Sequence, residues 1–231
     1  MSCTDHAASP RRDGSPPGSS AAPPGPLADA PPTLSEVFAE TAVDGAVTGF
    51  LCAQLRGAAN PVLWVQDRLS RREAGRPYLP GLPAGLRILL VSVSRPVDVL
   101  WALEQGLDCD GLSAVLGEVW GDPAVVDFTA TKRLALRSEA RALPCWLIRR
   151  AAHPNLSAAR MRWRVGSLPS APHPDDLRAP GQPLWRAELF RARWQTPGSW
   201  VARDEGAGLA LAHPRPQGGR EDAAVATAAA G

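Results

Sequence analysis

Between Leu34 and Ala202, short unbroken apolar runs alternate with stretches of helical period, and this alternation narrows the architecture more than any other feature of the chain. Pro61-Val62-Leu63-Trp64-Val65, set between Asn60 and Asp67, is one such run, and Leu86-Arg87-Ile88-Leu89-Leu90-Val91-Ser92-Val93 is a second. Leu112-Ser113-Ala114-Val115-Leu116 and Pro144-Cys145-Trp146-Leu147-Ile148 follow. Continuous apolar runs of this length read as buried strands of a parallel sheet. Helices fit between them: Ala46 to Arg56 with Val47, Phe50, Leu51 and Leu55 on one face and Gly57 as its stop; Pro96 to Gly106 with proline in the first turn; and a third, capped by Asp127 or Thr129, running to Ala142. Strands alternating with helices argue for an α/β sheet and against a bundle or a sandwich.

After Arg150 the period changes. Met161, Trp163 and Val165 alternate with Arg162 and Arg164, and Leu184 to Trp194 continues in that style before the turn Thr196-Pro197-Gly198-Ser199 and Trp200-Val201. This predicts an antiparallel β extension ending in a hairpin, with the proline-rich segment Ser167 to Gln182 as an exposed connection. Residues 1–33, with eight prolines and three glycines and almost nothing large to bury, and residues 203–231, rich in Gly, Ala, Pro and charge, read as disordered tails flanking one domain over 34–202.

From Leu34 to Thr129, 7 Arg face 12 acids, whereas from Ala130 to Ala202, 13 basic residues face 4. An acidic partner would meet the second half. The competing explanation is compositional, since 24 of the 25 basic residues are Arg in a chain rich in Arg, Ala and Pro throughout. Trp64, Trp101, Trp120 and Trp146 fall beside the central elements and read as core. Trp163, Trp185, Trp194 and Trp200 interleave with Arg in the β extension, a pattern that suits stacking but that half-buried strands also produce. Cys3, Cys52, Cys109 and Cys145 are too scattered for a zinc or disulfide framework. With no long apolar stretch and no signal-like leader, a cytoplasmic protein without membrane contact is expected.

The chemistry expected of such a sheet is missing. There is no Gly-x-x-x-x-Gly-Lys-Ser/Thr loop, and Lys132, the one lysine, sits far downstream. His6, His153, His173 and His213 have no partners at catalytic spacing, and Asp108 with Asp110 and Asp175 with Asp176 read as turn acids. No catalytic, cofactor or metal site is expected.

The order of elements resembles the RecA-like core and, within it, the ImuA family with its SulA-like relatives, over nearly all of Leu34 to Ala202. Ser35-Glu36-Val37-Phe38 looks like the first strand; Leu100-Trp101-Ala102-Leu103-Glu104 is similar to a family helix; Leu112 to Glu118 looks like the central strand. Asp127-Phe128-Thr129-Ala130-Thr131-Lys132-Arg133-Leu134 is similar to the family's helix start, and Arg162-Trp163-Arg164-Val165 and Pro197-Gly198-Ser199-Trp200 look like family signatures. The fold so implied is a RecA-like core, a mostly parallel sheet flanked by helices, with the antiparallel extension. Against an active ATPase, Ala39-Glu40-Thr41-Ala42-Val43-Asp44-Gly45-Ala46 stands where the phosphate loop would run, with acids and no lysine. Gly117-Glu118 replaces the magnesium-orienting Asp, and Asp67 falls near the place of the water-activating Glu. Arg191 and Arg193 match the lysines that reach across the RecA subunit interface, and Arg150 to Leu156 is a short counterpart of a DNA-binding loop.

The resemblance implies a non-catalytic accessory protein of damage-induced (SOS) mutagenesis and translesion DNA synthesis, with no cofactor. Its partners would be an ImuB-like polymerase adaptor and an error-prone polymerase, with RecA and DNA as further candidates. The contacts would run through Arg133, Arg137, Arg141, Arg162, Arg164, Arg191 and Arg193. A SulA-like inhibitor of cell division and a degenerate DNA-dependent ATPase using Asp67 are the alternatives.

Overall fold

Every continuous apolar run becomes a strand of one sheet. The computed structural model describes residues 30–176 and 178–214, in which nine strands form a single sheet of order β3-β2-β4-β5-β1-β6-β7-β8-β9. β1 (Leu34–Ala39), β2 (Val62–Asp67), β3 (Ile88–Val93), β4 (Ala114–Trp120), β5 (Cys145–Arg150) and β6 (Met161–Leu168) pair in parallel. β7 (Leu184–Ala192), β8 (Gly198–Asp204) and β9 (Leu209–Ala212) continue antiparallel, as the change of period after Arg150 predicts.

Helix α1 (Ala46–Gln54) covers one face, where Phe50, Trp64, Ile148 and Trp163 form the larger core. Helices α3 (Pro96–Leu107) and α4 (Phe128–Arg141) cover the other, Leu103 and Leu134 packing with Val65, Val115 and Leu147 of the sheet. Asp127 caps α4, its carboxylate accepting from the Ala130 amide at 2.7 Å. Gly117 has a packing reason: a Cβ there would stand 2.6 Å from Leu103 Cδ1 and 2.9 Å from Val99 Cγ1, so the bare backbone lets α3 approach β4. A short helix α2 (Arg68–Glu73), absent from the sequence reading, follows β2 directly.

Three expectations are corrected. The ordered chain continues beyond Ala202 to β9, because Leu211 packs into the core and Asp204 pairs with Arg56; Gly206 and Gly208 supply the positive-φ turn between β8 and β9. The rest of the two tail readings, 1–29 and 215–231, lies outside the described residues. Leu86–Val93 is not a fully buried strand: β3 is the sheet edge, and Leu89 is 51% exposed. Trp101 lies on the side of α3 turned away from the core and is 64% exposed, whereas Val99, Leu100, Leu103 and Leu107 of the same helix are buried.

Candidate functional site

The loop between β1 and α1, where the resemblance puts a phosphate cradle, is filled from within. Arg150, the last residue of β5, is buried beneath it and donates through Nη1 to the carbonyl oxygens of Ala42 at 3.0 Å and Asp44 at 2.9 Å. Its Nη2 lies 3.4 Å from Thr48 Oγ1, and its Nε donates to Glu118 Oε1. Glu118 Oε2 in turn accepts from Trp64 Nε1 at 3.0 Å and Gln66 Nε2 at 2.8 Å. The loop therefore turns carbonyl oxygens toward a fixed guanidinium, the reverse of an anion cradle, which turns N–H groups toward its ligand.

The first amide of α1 is engaged as well. Asp44 accepts from the Ala46 amide at 2.9 Å and, from β6, from the Ser167 amide at 2.8 Å and hydroxyl at 2.6 Å. Burial alone would raise the Asp44 carboxyl; the Ser167 hydroxyl, the two amides and the Arg150 charge outweigh it and hold it below its ordinary value. Glu139 is lowered chiefly by its hydrogen bond from Arg160, and Asp204 by Arg56 against the opposing effect of burial. Groups depressed on folding give stability that is complete above their unfolded pKa and is lost as pH falls through the folded one. The urea midpoint is accordingly expected to hold from neutral pH to about pH 5 and to fall below about pH 4. Asp44→Asn should flatten part of that fall, and a midpoint unchanged in strong acid would contradict the assignment.

Asp67, matched by position to a water-activating Glu, is committed to the backbone. It is the N-cap of α2, accepting from the Ser70 amide at 2.6 Å, and its other oxygen lies 3.4 Å from the Trp120 amide. On the opposite face of the sheet Arg149 mirrors Arg150. It is fully buried, donates to Asp122 at 2.8 Å and shares Glu36 with Arg162, at 3.7 Å and 2.6 Å. Both guanidinium groups stack on Phe38, 5.5 and 5.2 Å from its centroid. Burial, the larger cause, and the neighbouring Arg162 lower the Arg149 guanidinium, against Glu36 and Asp122.

The seven arginines read as a contact surface thus separate. Arg162 is buried against Glu36 and is corrected from a surface residue to a core one; the alternation identified its face of the sheet but not the cover over that face. Arg164 is half-buried, paired with Glu188 at 2.6 Å and stacked on Phe190. Arg133, Arg137 and Arg141 form one stripe of α4, but the stripe faces α3. Arg133 pairs with Glu104 at 2.9 Å, and Arg137 and Arg141 hold Asp108 at 2.9 and 3.0 Å. These charges are largely neutralised at home.

A different stripe of the same helix is free. Phe128, Lys132 and Leu136, again four residues apart, line a cleft of about 390 Å³ whose far wall is the end of β7, with Arg191 and Arg193. All three apolar and basic helix residues are exposed, Phe128 to 42% and Leu136 to 51%. Arg193 stacks on the exposed Trp194, 5.7 Å from its ring centroid. Among the described residues, neither Lys132, Arg191 nor Arg193 forms an ion pair; the nearby Glu139 is already taken by Arg160. The structure therefore brings Arg191 and Arg193 together with Lys132, a combination the sequence reading did not assemble. Arg149 and Arg150 were missed too, although two arginines ending an apolar strand, with Glu36 and Glu118 inside neighbouring runs, were a visible signal.

No family model matches the chain. Two curated proteins do, the proteins named ImuA of Caulobacter vibrioides strain NA1000 / CB15N and of strain ATCC 19089 / CIP 103742 / CB 15. Each is 32% identical over 183 residues, spanning 73% of this chain and 72% of the relative. The sequence signatures around Asp127, Arg162 and Pro197 pointed the same way. Identity of this level sustained over most of both chains marks common descent, and the chain belongs to the ImuA family.

Proposed function

We propose that this chain is a non-catalytic accessory protein of damage-induced mutagenesis and translesion DNA synthesis, working in the cytoplasm by presenting surfaces to other proteins. The observation that carries the reading is Arg150, whose guanidinium fills the β1–α1 loop and binds the carbonyls of Ala42 and Asp44. A triphosphate brought there would have to displace a buried ion pair and meet Glu40 and Asp44, with no ammonium group to receive it. Asp67 is engaged as a helix cap, its carboxylate accepting from the Ser70 amide and lying against that of Trp120, which disfavours a role as general base. Family membership supports the mutagenesis setting. The partners in this reading are an ImuB-like polymerase adaptor and an error-prone polymerase, with RecA and DNA as additional contacts.

Deleting the gene is expected to lower the mutation frequency induced by DNA damage, restored by the wild-type chain and equally by Asp67→Asn. Purified protein should neither bind ATP tightly with magnesium nor hydrolyse it with single-stranded DNA. Magnesium-dependent ATP capture, or hydrolysis abolished by Asp67→Asn, would move the chain to the degenerate ATPases. Filamentation of cells on overexpression would move it to the division inhibitors.

A further inference from the structure

The cleft between α4 and the end of β7 brings together three cations, Lys132, Arg191 and Arg193, none of which forms an ion pair among the described residues. Elsewhere on α4 the arginines are matched by Glu104 and Asp108, and in the β extension Arg164 is matched by Glu188 and Arg186 by Glu40. Lys132, Arg191 and Arg193 converge on one apolar recess instead, with Phe128 and Leu136 along its helical wall. Convergent cations beside exposed apolar side chains are complementary to carboxylates that flank an aliphatic or aromatic side chain.

We propose that this cleft is a docking site for a short acidic segment of a partner protein, which seats an apolar side chain between Phe128 and Leu136 and sets flanking carboxylates against Lys132, Arg191 and Arg193. The volume, about 390 Å³, accommodates an anchoring side chain and its neighbours rather than a folded domain. Charge complementarity favours peptide over nucleic acid. A phosphodiester chain needs cations spaced along a track, whereas here they converge, and the arginines of the neighbouring α4 stripe are already paired with Glu104 and Asp108, so no track of free cations continues across the helix. The inference rests on the reading of the chain as a partner-binding accessory protein and names the chemistry of what it binds.

The test uses the full chain and fluorescence anisotropy with three probes of matched length: peptides combining Asp or Glu with Leu or Phe, the same peptides with Asn and Gln in place of the acids, and oligothymidylate. The acidic apolar peptides are expected to bind. Lys132→Glu and Leu136→Asp, both at exposed helix positions, should each weaken them by about tenfold or more, while Arg133→Gln on the α3-facing stripe leaves binding unchanged. Both weakened variants should fail to restore damage-induced mutation while keeping the wild-type urea midpoint. The proposal is overturned if no acidic peptide binds, if the amide versions bind equally, if oligothymidylate binds and is lost in the same variants, or if both variants restore mutation fully. Peptide binding is read on purified protein, so its failure leaves the accessory role standing. The gene deletion that tests that role is blind to the cleft.

Discussion

Arg150→Ala is expected to destabilise the protein by about 3–5 kcal/mol, enough to consume much of an ordinary domain's stability. The argument is one of orphaned partners. Glu118 is almost wholly buried between β2, β4 and β5, and without the guanidinium its charge would be left with only the indole of Trp64 and the amide of Gln66. The Ala42 and Asp44 carbonyls would lose their donor at the same time, freeing the loop that leads into α1. Arg150→Lys should recover little, because one ammonium cannot reproduce a planar fork that meets a carboxylate along one edge and two carbonyls along another. The double variant Arg150→Met with Glu118→Leu removes both charges and should regain most of the loss, since a buried pair is worth far less than the penalty for breaking it. Urea denaturation of the three variants measures this ordering. A single alanine variant within about 1 kcal/mol of wild type would show that the loop is not held by Arg150. None of these variants should acquire ATP binding, because Glu40 and Asp44 stay in place.

The same residues show what the sequence discloses and what it withholds. Val62 to Val65 and Cys145 to Ile148 could be read as strands because a strand buried on both faces has no polar residue to spare, so its position is written in a continuous apolar run. Leu211 escaped because four residues of Leu and Ala among glycines carry no run long enough to notice, although that leucine reaches the core. Arg162 escaped for another reason. Period two tells which side of the sheet a residue faces, and Trp163 was rightly placed opposite; it does not tell whether that side is wet, and here Glu36 on the neighbouring strand waits to pair with it. On α4 the stripe Arg133, Arg137, Arg141 drew attention by composition, yet its acids come from α3, a helix whose position only the fold reveals. The mixed stripe of Phe128, Lys132 and Leu136 carries less charge and gains its meaning only when β7 brings Arg191 and Arg193 across from it.

Glu36 sets the second large expectation. Its carboxylate is fully buried and serves two guanidinium groups, Arg162 at 2.6 Å and Arg149 at 3.7 Å. Glu36→Ala would leave two like charges facing one another in the core, with Asp122 relieving only Arg149, and should cost about 3–5 kcal/mol. Arg162→Ala should cost less, about 1.5–3 kcal/mol, because Glu36 keeps Arg149 as a partner. Arg162→Glu would place a second carboxylate against Glu36 and should be worse than either. This ordering matters for any search for a binding surface. Reversing Arg162 would abolish partner binding whether or not a partner touches it, and the cause would show as a lowered urea midpoint in the protein alone. Arg191→Glu, on the exposed wall of the cleft, should leave that midpoint within about 0.5 kcal/mol of wild type and alter only what the protein binds. If instead Arg191→Glu proved as destabilising as Arg162→Glu, the cleft arginines would be structural and the division between core and contact residues drawn along β6 and β7 would be wrong.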